Sequence, residues 1–193
     1  MANKKFFYFH DCETTGTDPD VHQLLTYGAI VAVFDGENFD VIDTYSLAIS
    51  YKNYVVDPYA LQVNLIDLVE HTVDHRTLSS DRAPALIRDF YTRMRYKIGL
   101  DSKLILAGHR VEFDNAFVSK LVPEFETWFE MIPMDTKRIA EFLKLSGKYP
   151  SENKTSLVNL AEYFGIPVDN DKLHVSDYDS MLTLKVLEKM VKL

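Results

Sequence analysis

The sequence predicts an α/β fold, with a mixed five-stranded sheet covered by helices on both faces. Three observations predict it. Short segments such as Phe6–Phe9 and Tyr27–Phe34 are apolar at every position or nearly so, as strands buried on both faces are. The stretch Ala83–Ile98 instead repeats its apolar residues at helical spacing. Strands and helices then alternate through the second half, which layers helices against a sheet.

The first strand, Phe6–Phe9, has no polar face and belongs at the centre of the sheet. Tyr27–Phe34 and Phe39–Ile49 follow as a pair, joined by the turn residues Asp35-Gly36-Glu37-Asn38. In the helix Ala83–Ile98, Leu86, Ile87, Phe90, Tyr91, Met94 and Ile98 share one stripe. Leu104–Ala107 is a short buried strand, and a helix near Glu112 should turn Phe113, Phe117 and Leu121 to the core. The segment 131–134 is the fifth strand, and Asp135 or Thr136 caps a helix from Lys137 to Leu145. Leu157, Leu160, Ala161 and Phe164 mark a further helix, stopped by Gly165 and Pro167. A last helix runs from about Asp177 to the C-terminus, and Ser146–Lys154 reads as a mobile loop.

The 193 residues fit a single domain, 1–193, with enough chain to bury a full core. No apolar run approaches the length of a membrane span, so no membrane partner is expected. The N-terminus reaches Asp11 before a signal-peptide core can form, and one cysteine excludes internal disulfides; a cytoplasmic setting is the expectation. A net charge of −8 argues against indiscriminate nucleic-acid binding. It is compatible with an enzyme whose carboxylates hold cations, because bound metal reverses the local sign.

Three acidic clusters stand out. Asp11 and Glu13 end the first strand, two residues apart and so on one face, roughly 6–7 Å from each other along the chain. They suit a hard cation that wants oxygen ligands, or else simply form a turn. Thr14-Thr15-Gly16 follows, a turn whose amides suit a phosphate. Asp114 lies where a buried strand passes into a helix, the place where α/β sheets gather ligands. An acid there also serves the helix dipole. In His174-Val-Ser-Asp177-Tyr-Asp179, positions 174 and 179 would be about 140° apart on a continuous helix. They converge only if His174 sits in the lead-in loop; the plainer reading is a capped helix start.

In this order the clusters resemble the DEDD exonuclease superfamily, in its histidine-containing branch, which includes proofreading subunits and ribonuclease T-like exonucleases. Asp11-Cys-Glu13-Thr14-Thr15-Gly16 resembles the first motif, D-x-E-T-T-G. Gly108-His109-Arg110-Val-Glu-Phe113-Asp114 resembles the second, G-H-N-x-x-F-D, and His174-x4-Asp179 the third. The segments Asp57–Ile66 and Thr155–Leu160 resemble the family's nucleotide-pocket segment and the helix before the third motif. Arg110 departs from the pattern, replacing an amide with a charged group that has no acceptor. It is expected to meet a phosphate or to pair with Glu112.

The resemblance implies a ribonuclease H-like fold and hydrolysis of single-stranded nucleic acid from its 3′ end to nucleoside monophosphates. It implies two Mg²⁺ or Mn²⁺ ions held by Asp11, Glu13, Asp114 and Asp179, with His174 as general base and His109 in a packing or hydrogen-bonding role. Thr14, Thr15, Gly16, Val63, Asn64, Phe113 and Arg110 are the expected substrate contacts. DNA is favoured over RNA, on the expectation that no polymerase domain or binding tail is present. An RNA-trimming enzyme, or a catalytically weak relative that binds nucleic acid or a polymerase, are the alternatives. A polymerase or replication–repair partner is not readable from the sequence. A phosphatase with an aspartyl nucleophile is disfavoured, since Glu13 stands where its second aspartate is needed. The basic residues of Arg82–Lys97 read as a solvated helix face, and the region Lys137–Lys154 as the better candidate for strand contacts.

Overall fold

The computed structural model describes residues 4–130 and 132–193. Six strands form one sheet in the order β4-β3-β2-β1-β5-β6. Their spans are β1 (Lys5–Thr14), β2 (Leu24–Phe34), β3 (Phe39–Ser50), β4 (Leu78–Ser79), β5 (Leu104–Gly108) and β6 (Met134–Asp135). β1, β2 and β3 form an antiparallel meander, while β5 pairs parallel to β1 and β6 parallel to β5. The expected β2–β3 turn is present, with Asp35 Oδ1 accepting the amides of Glu37 and Asn38 at 2.8 Å each.

The expected five strands become six because β4 adds parallel to the end of β3. A two-residue strand carries no alternation for a sequence to display. The last strand is Met134–Asp135 rather than 131–134; Met131 lies outside the described residues.

Seven α-helices are described: α1 (Pro58–Asn64), α2 (Leu68–Val73), α3 (Ala83–Ile98), α4 (Val111–Leu121), α5 (Thr136–Leu145), α6 (Leu157–Tyr163) and α7 (Ser176–Met190). The periodic pattern of α3 predicts its bounds correctly. α1 and α2 have no such pattern; each is short and depends on an aspartate cap, Asp57 and Asp67, with Pro58 in the first turn of α1.

The apolar faces of β1 divide the core. Tyr8 and Cys12 pack with Ile87, Phe90 and Met94 of α3 and Phe117 of α4. Phe7 and Phe9 pack on the other side with Leu184 and Leu187 of α7. Asp11 and Glu13 continue the Phe7–Phe9 side of the strand. They therefore emerge on the face that α7 covers. The loop Ser146–Lys154 is more anchored than its composition predicts: Tyr149 is buried among α5, α6 and α7, and its hydroxyl donates to the Lys154 carbonyl at 2.8 Å.

Two local features place the ends of α4, α5 and α7. Buried Asp135 accepts from the amides of Arg110 and Val111 at 3.3 and 3.2 Å, and from those of Lys137 and Arg138 at 2.9 and 3.2 Å. One carboxylate thus caps both α4 and α5. Gly28, in the middle of β2, lies against the first turn of α7. A Cβ built there would come within 2.3 Å of the Ser176 carbonyl carbon and 2.4 Å of the Asp177 amide nitrogen. The strand needs glycine here because a backbone passes directly over it.

Gly28→Ala is expected to destabilise the fold by about 3 kcal/mol or more, since backbone must move to admit the methyl. Urea denaturation with an unchanged midpoint would show that α7 does not rest on β2 as described.

Candidate active site

β1 carries Asp11 and Glu13 to the end of the central strand, α4 supplies Asp114 from its first turn, and α7 supplies Asp179. Glu13, Asp114 and Asp179 are buried, and Asp11 is partly exposed in the lining of a cleft of about 500 Å³. All four line that cleft, together with His174. The structure therefore brings together the four carboxylates and the histidine that the three sequence clusters single out.

Each group is held by an identifiable contact. His174 precedes α7 in a left-handed conformation, φ 63°, and its amide donates to Asp179 Oδ2 at 3.1 Å. This turn, absent from a continuous helix, lets residues 174 and 179 meet. The His174 imidazole is half-exposed, with Nδ1 3.9 Å from Glu13 Oε1. Ligand atoms of Glu13, His174 and Asp179 lie within 4.8 Å of one another. The second oxygen of Asp179, Oδ1, is buried and has no hydrogen-bond partner among the described residues.

Crowded carboxylates resist ionisation. Burial pushes Asp11 well above the usual carboxylate range, and Asp114, Glu13 and Asp179 push it further. Burial raises Glu13 to about 9, reinforced by Asp179 and Asp114 and opposed by a hydrogen bond with Asn64. Burial raises Asp114 well above its ordinary value against the opposing Cys12 amide and Arg110. Asp179 rises to about 6 through burial, opposed by the His174 amide. An orphaned buried oxygen among carboxylates that cannot all ionise unaided is the donor set a hard divalent cation requires.

The histidines differ in their surroundings. Burial holds the His174 imidazole below the ordinary histidine pKa, which favours its uncharged form. His109 also reaches the cleft, but its Nδ1 is hydrogen-bonded to Thr136 Oγ1 at 2.9 Å and burial lowers its pKa to about 4. Its hydrogen-bonding role matches the sequence expectation.

Thr14, Gly16, Val63, Asn64, Arg110 and Phe113 all line the cleft. Thr15 does not: it is fully buried, its amide donates to the Gln23 carbonyl at 2.9 Å and its hydroxyl accepts the Gln23 amide at 2.8 Å. Asn64 Nδ2 donates to the Thr14 carbonyl at 3.0 Å, and its Oδ1 accepts the Ile66 amide at 3.1 Å. It positions the Thr14 turn. Arg110 does not pair with Glu112, which holds Arg138 at 2.6 Å. Its guanidinium lies 5.8 Å from the centroid of the Phe113 ring instead. Sequence reasoning passed over Tyr59, Leu157 and Lys137 as individual cleft residues, and Gly28 beneath the site. Gly28 carries a signal of its own, an isolated glycine inside an apolar strand, whereas Tyr59, Leu157 and Lys137 are marked only through the segments 57–66, 155–160 and 137–154 that contain them.

The basic residues of α3 are engaged elsewhere. Arg88 pairs with Glu124 at 2.5 Å, Arg93 with Asp89 at 3.1 Å and Lys97 with Asp43 at 3.2 Å, all outside the cleft.

The ribonuclease T family model, described as an exonuclease, matches residues 8–187. No curated protein matches by sequence. Among solved structures, E. coli exonuclease I in complex with a dT13 oligonucleotide has a TM-score of 0.70 and 18% identity, over 95% of this chain and 40% of that one. The zinc-ion-bound E. coli exonuclease I–ssDNA complex has a TM-score of 0.73 and 18% identity, over 98% and 41%. A 3′-exonuclease in a structure of histone mRNA stem-loop recognition has a TM-score of 0.69 and 16% identity, over 99% and 65%. This chain thus spans about 40% of the length of exonuclease I. The likeness identifies the fold as ribonuclease H-like, and the match across residues 8–187 shows that the chain belongs to the ribonuclease T exonuclease family of the DEDD superfamily.

Proposed function

We propose that this chain is a metal-dependent 3′→5′ exonuclease that releases nucleoside monophosphates from single-stranded nucleic acid, with DNA the favoured substrate. The observation that carries the reading is the convergence of Asp11, Glu13, Asp114 and Asp179, with the unpartnered Asp179 Oδ1 among them and His174 alongside. A degenerate binding protein would be expected to lack one of these groups. The oligonucleotides in the exonuclease I structures favour DNA, and matched 3′-labelled DNA and RNA oligomers test that choice.

Asp11, Glu13, Asp114 and Asp179 would hold two Mg²⁺ or Mn²⁺ ions. Such ions stabilise charge on the phosphodiester and acidify water. His174, half-exposed in its loop and with its uncharged form favoured by burial, takes the proton of the attacking water. Arg110 and Lys137 face the cleft as cations for backbone phosphates. Val63 and Phe113 grip the terminal base and sugar by packing that any base satisfies. Asn64 and the Thr14 carbonyl fix the turn beside Glu13.

Removing one carboxylate from the crowded site should stabilise the chelated protein. In a metal chelator, Glu13→Gln is expected to melt a few degrees above the wild type, at roughly 2–4 °C per kcal/mol for a chain of this size. Burial and the neighbouring Asp179 and Asp114 raise the Glu13 carboxyl to about 9, against 4.5 for a free carboxyl. Its contribution to stability is therefore complete below pH 4.5 and is lost as pH rises toward 9. The gap between variant and wild type should widen over that interval and close when Mg²⁺ or Mn²⁺ is added. A lower melting temperature for Glu13→Gln in chelator would contradict the crowding argument.

The acids of α7 separate in kinetics. Asp179→Asn should lower the rate by orders of magnitude, whereas Asp177→Asn should cost about 0.5–1 kcal/mol of stability and little activity. The reverse ranking of rates would move the ligand to Asp177.

His174→Ala should lower kcat by about 10²–10⁴-fold, and His109→Ala by much less. Mononucleotides should appear from the first turnover, a blocked 3′ end should resist, and a blocked 5′ end should not matter. Cleavage of closed circular single strands would exclude an exonuclease.

A further inference from the structure

A second cavity, of about 740 Å³, opens beside the first between α4 and α5. Arg110, Phe113 and Lys137 line both, so the second cavity adjoins the first and extends from the carboxylate cleft along α5 as a trough. Arg138, Glu141, Phe142 and Leu145 form its α5 wall at helical spacing, while Ala140 and Leu143 of the same helix are buried. Phe142 is 66% exposed and Leu145 87%. These apolar side chains stand on the face of α5 that the core does not use.

The charges of the trough do not cancel where it matters. Asp135 spends its carboxylate on four backbone amides. Glu112 is paired with Arg138, and Glu141 accepts the Thr155 hydroxyl at 2.6 Å and lies 3.8 Å from Lys144. Among the described residues Arg110 and Lys137 form no ion pair. The trough therefore presents two free cations next to the cleft and an exposed aromatic ring beyond them.

We propose that this trough is the binding site for the nucleotides upstream of the scissile one, a reading that rests on the exonuclease activity proposed above. Arg110 and Lys137 meet backbone phosphates, and Phe142 stacks on a base further from the 3′ end. Cations followed by a ring match the alternation of phosphate and base in a single strand, and stacking on a ring tolerates any sequence. Lys137 and Phe142 both line the trough, offset by a rise of roughly 7–8 Å along α5 and about 140° around it, so cation and ring stand at different points of the strand's path. The trough joins the cleft, which makes it the continuation of a strand whose 3′ end lies at the carboxylates.

The test compares a dinucleotide with a 5′-labelled octamer in the wild type, Phe142→Ala and Phe142→Trp. The wild type should gain in kcat/KM with length. Phe142→Ala should lose about 5- to 100-fold of that gain, in KM rather than kcat, because the ring touches no reacting atom. Phe142→Trp should retain it. The exposure of Phe142 means that the substitution leaves the core intact. Lys137→Gln should reduce the slope of log kcat/KM for the octamer against log salt by about 0.7, the value for one phosphate contact on a single strand. A photoreactive base two or three nucleotides from the 3′ end should crosslink to the α5 peptide that carries Phe142. A full length-dependent gain in Phe142→Ala, or a wild type that cuts both substrates equally well, would overturn the trough and leave the exonuclease reading standing. A wild type that cuts neither would overturn the exonuclease reading, and the trough with it.

Discussion

The candidate site depends on how closely α7 approaches the sheet. At Gly28 the backbone of Ser176 and Asp177 occupies the space a side chain would fill. The contact sets the height of α7 above β2 and hence the reach of Asp179 toward β1. Ser180 reinforces it, its single hydroxyl proton directed at the Ser176 carbonyl at 2.8 Å with the Gly28 carbonyl at 3.3 Å as the alternative acceptor. Without such proximity, Asp179 and His174 would belong to an ordinary helix start on the surface.

A second constraint acts on the opposite rim. Asp135 satisfies the first amides of α4 and α5 together, so the helix that carries Asp114 and the one that carries Lys137 share a single anchor. Arg110 has a left-handed backbone, φ 65°, at this junction. An asparagine there would adopt that conformation more readily than an arginine. The guanidinium in return gains the Phe113 ring and a place in the trough. The amides held by Asp135 and the apolar faces of β1 thus supply the rigidity that lets four carboxylates remain crowded. The repulsion among them is the electrostatic counterpart of an affinity for divalent cations.

The longer elements were legible because their residues repeat. The stripe of α3 and the apolar runs of β1, β2 and β5 reappear as described elements, and Gly165 ends α6 as its position suggests. Short elements were not. β4 spans two residues, and α1 and α2 rest on Asp57 and Asp67 rather than on a hydrophobic period. Tyr149 sits in a segment of loop-like composition, yet its ring is buried among α5, α6 and α7, the last of them far from it in sequence.

For the site, the sequence by itself determined the chemistry: which carboxylates and which histidine are present, their order and spacing, and that Asp11 and Glu13 share one face of a strand. That much follows from local geometry, because side chains alternate along a strand whatever surrounds it. Only the tertiary structure decided that α7 covers that same face, that a left-handed His174 lets residues 174 and 179 meet, and that Thr15 turns into the core while Thr14 and Gly16 remain in the cleft. It also decided that Arg110 joins Phe113 while Glu112 pairs with Arg138. The cover of α7 over β2 and the Glu112–Arg138 pair depend on segments distant in sequence, where backbone approach at a glycine and competition among ion-pair partners settle what local pattern leaves open.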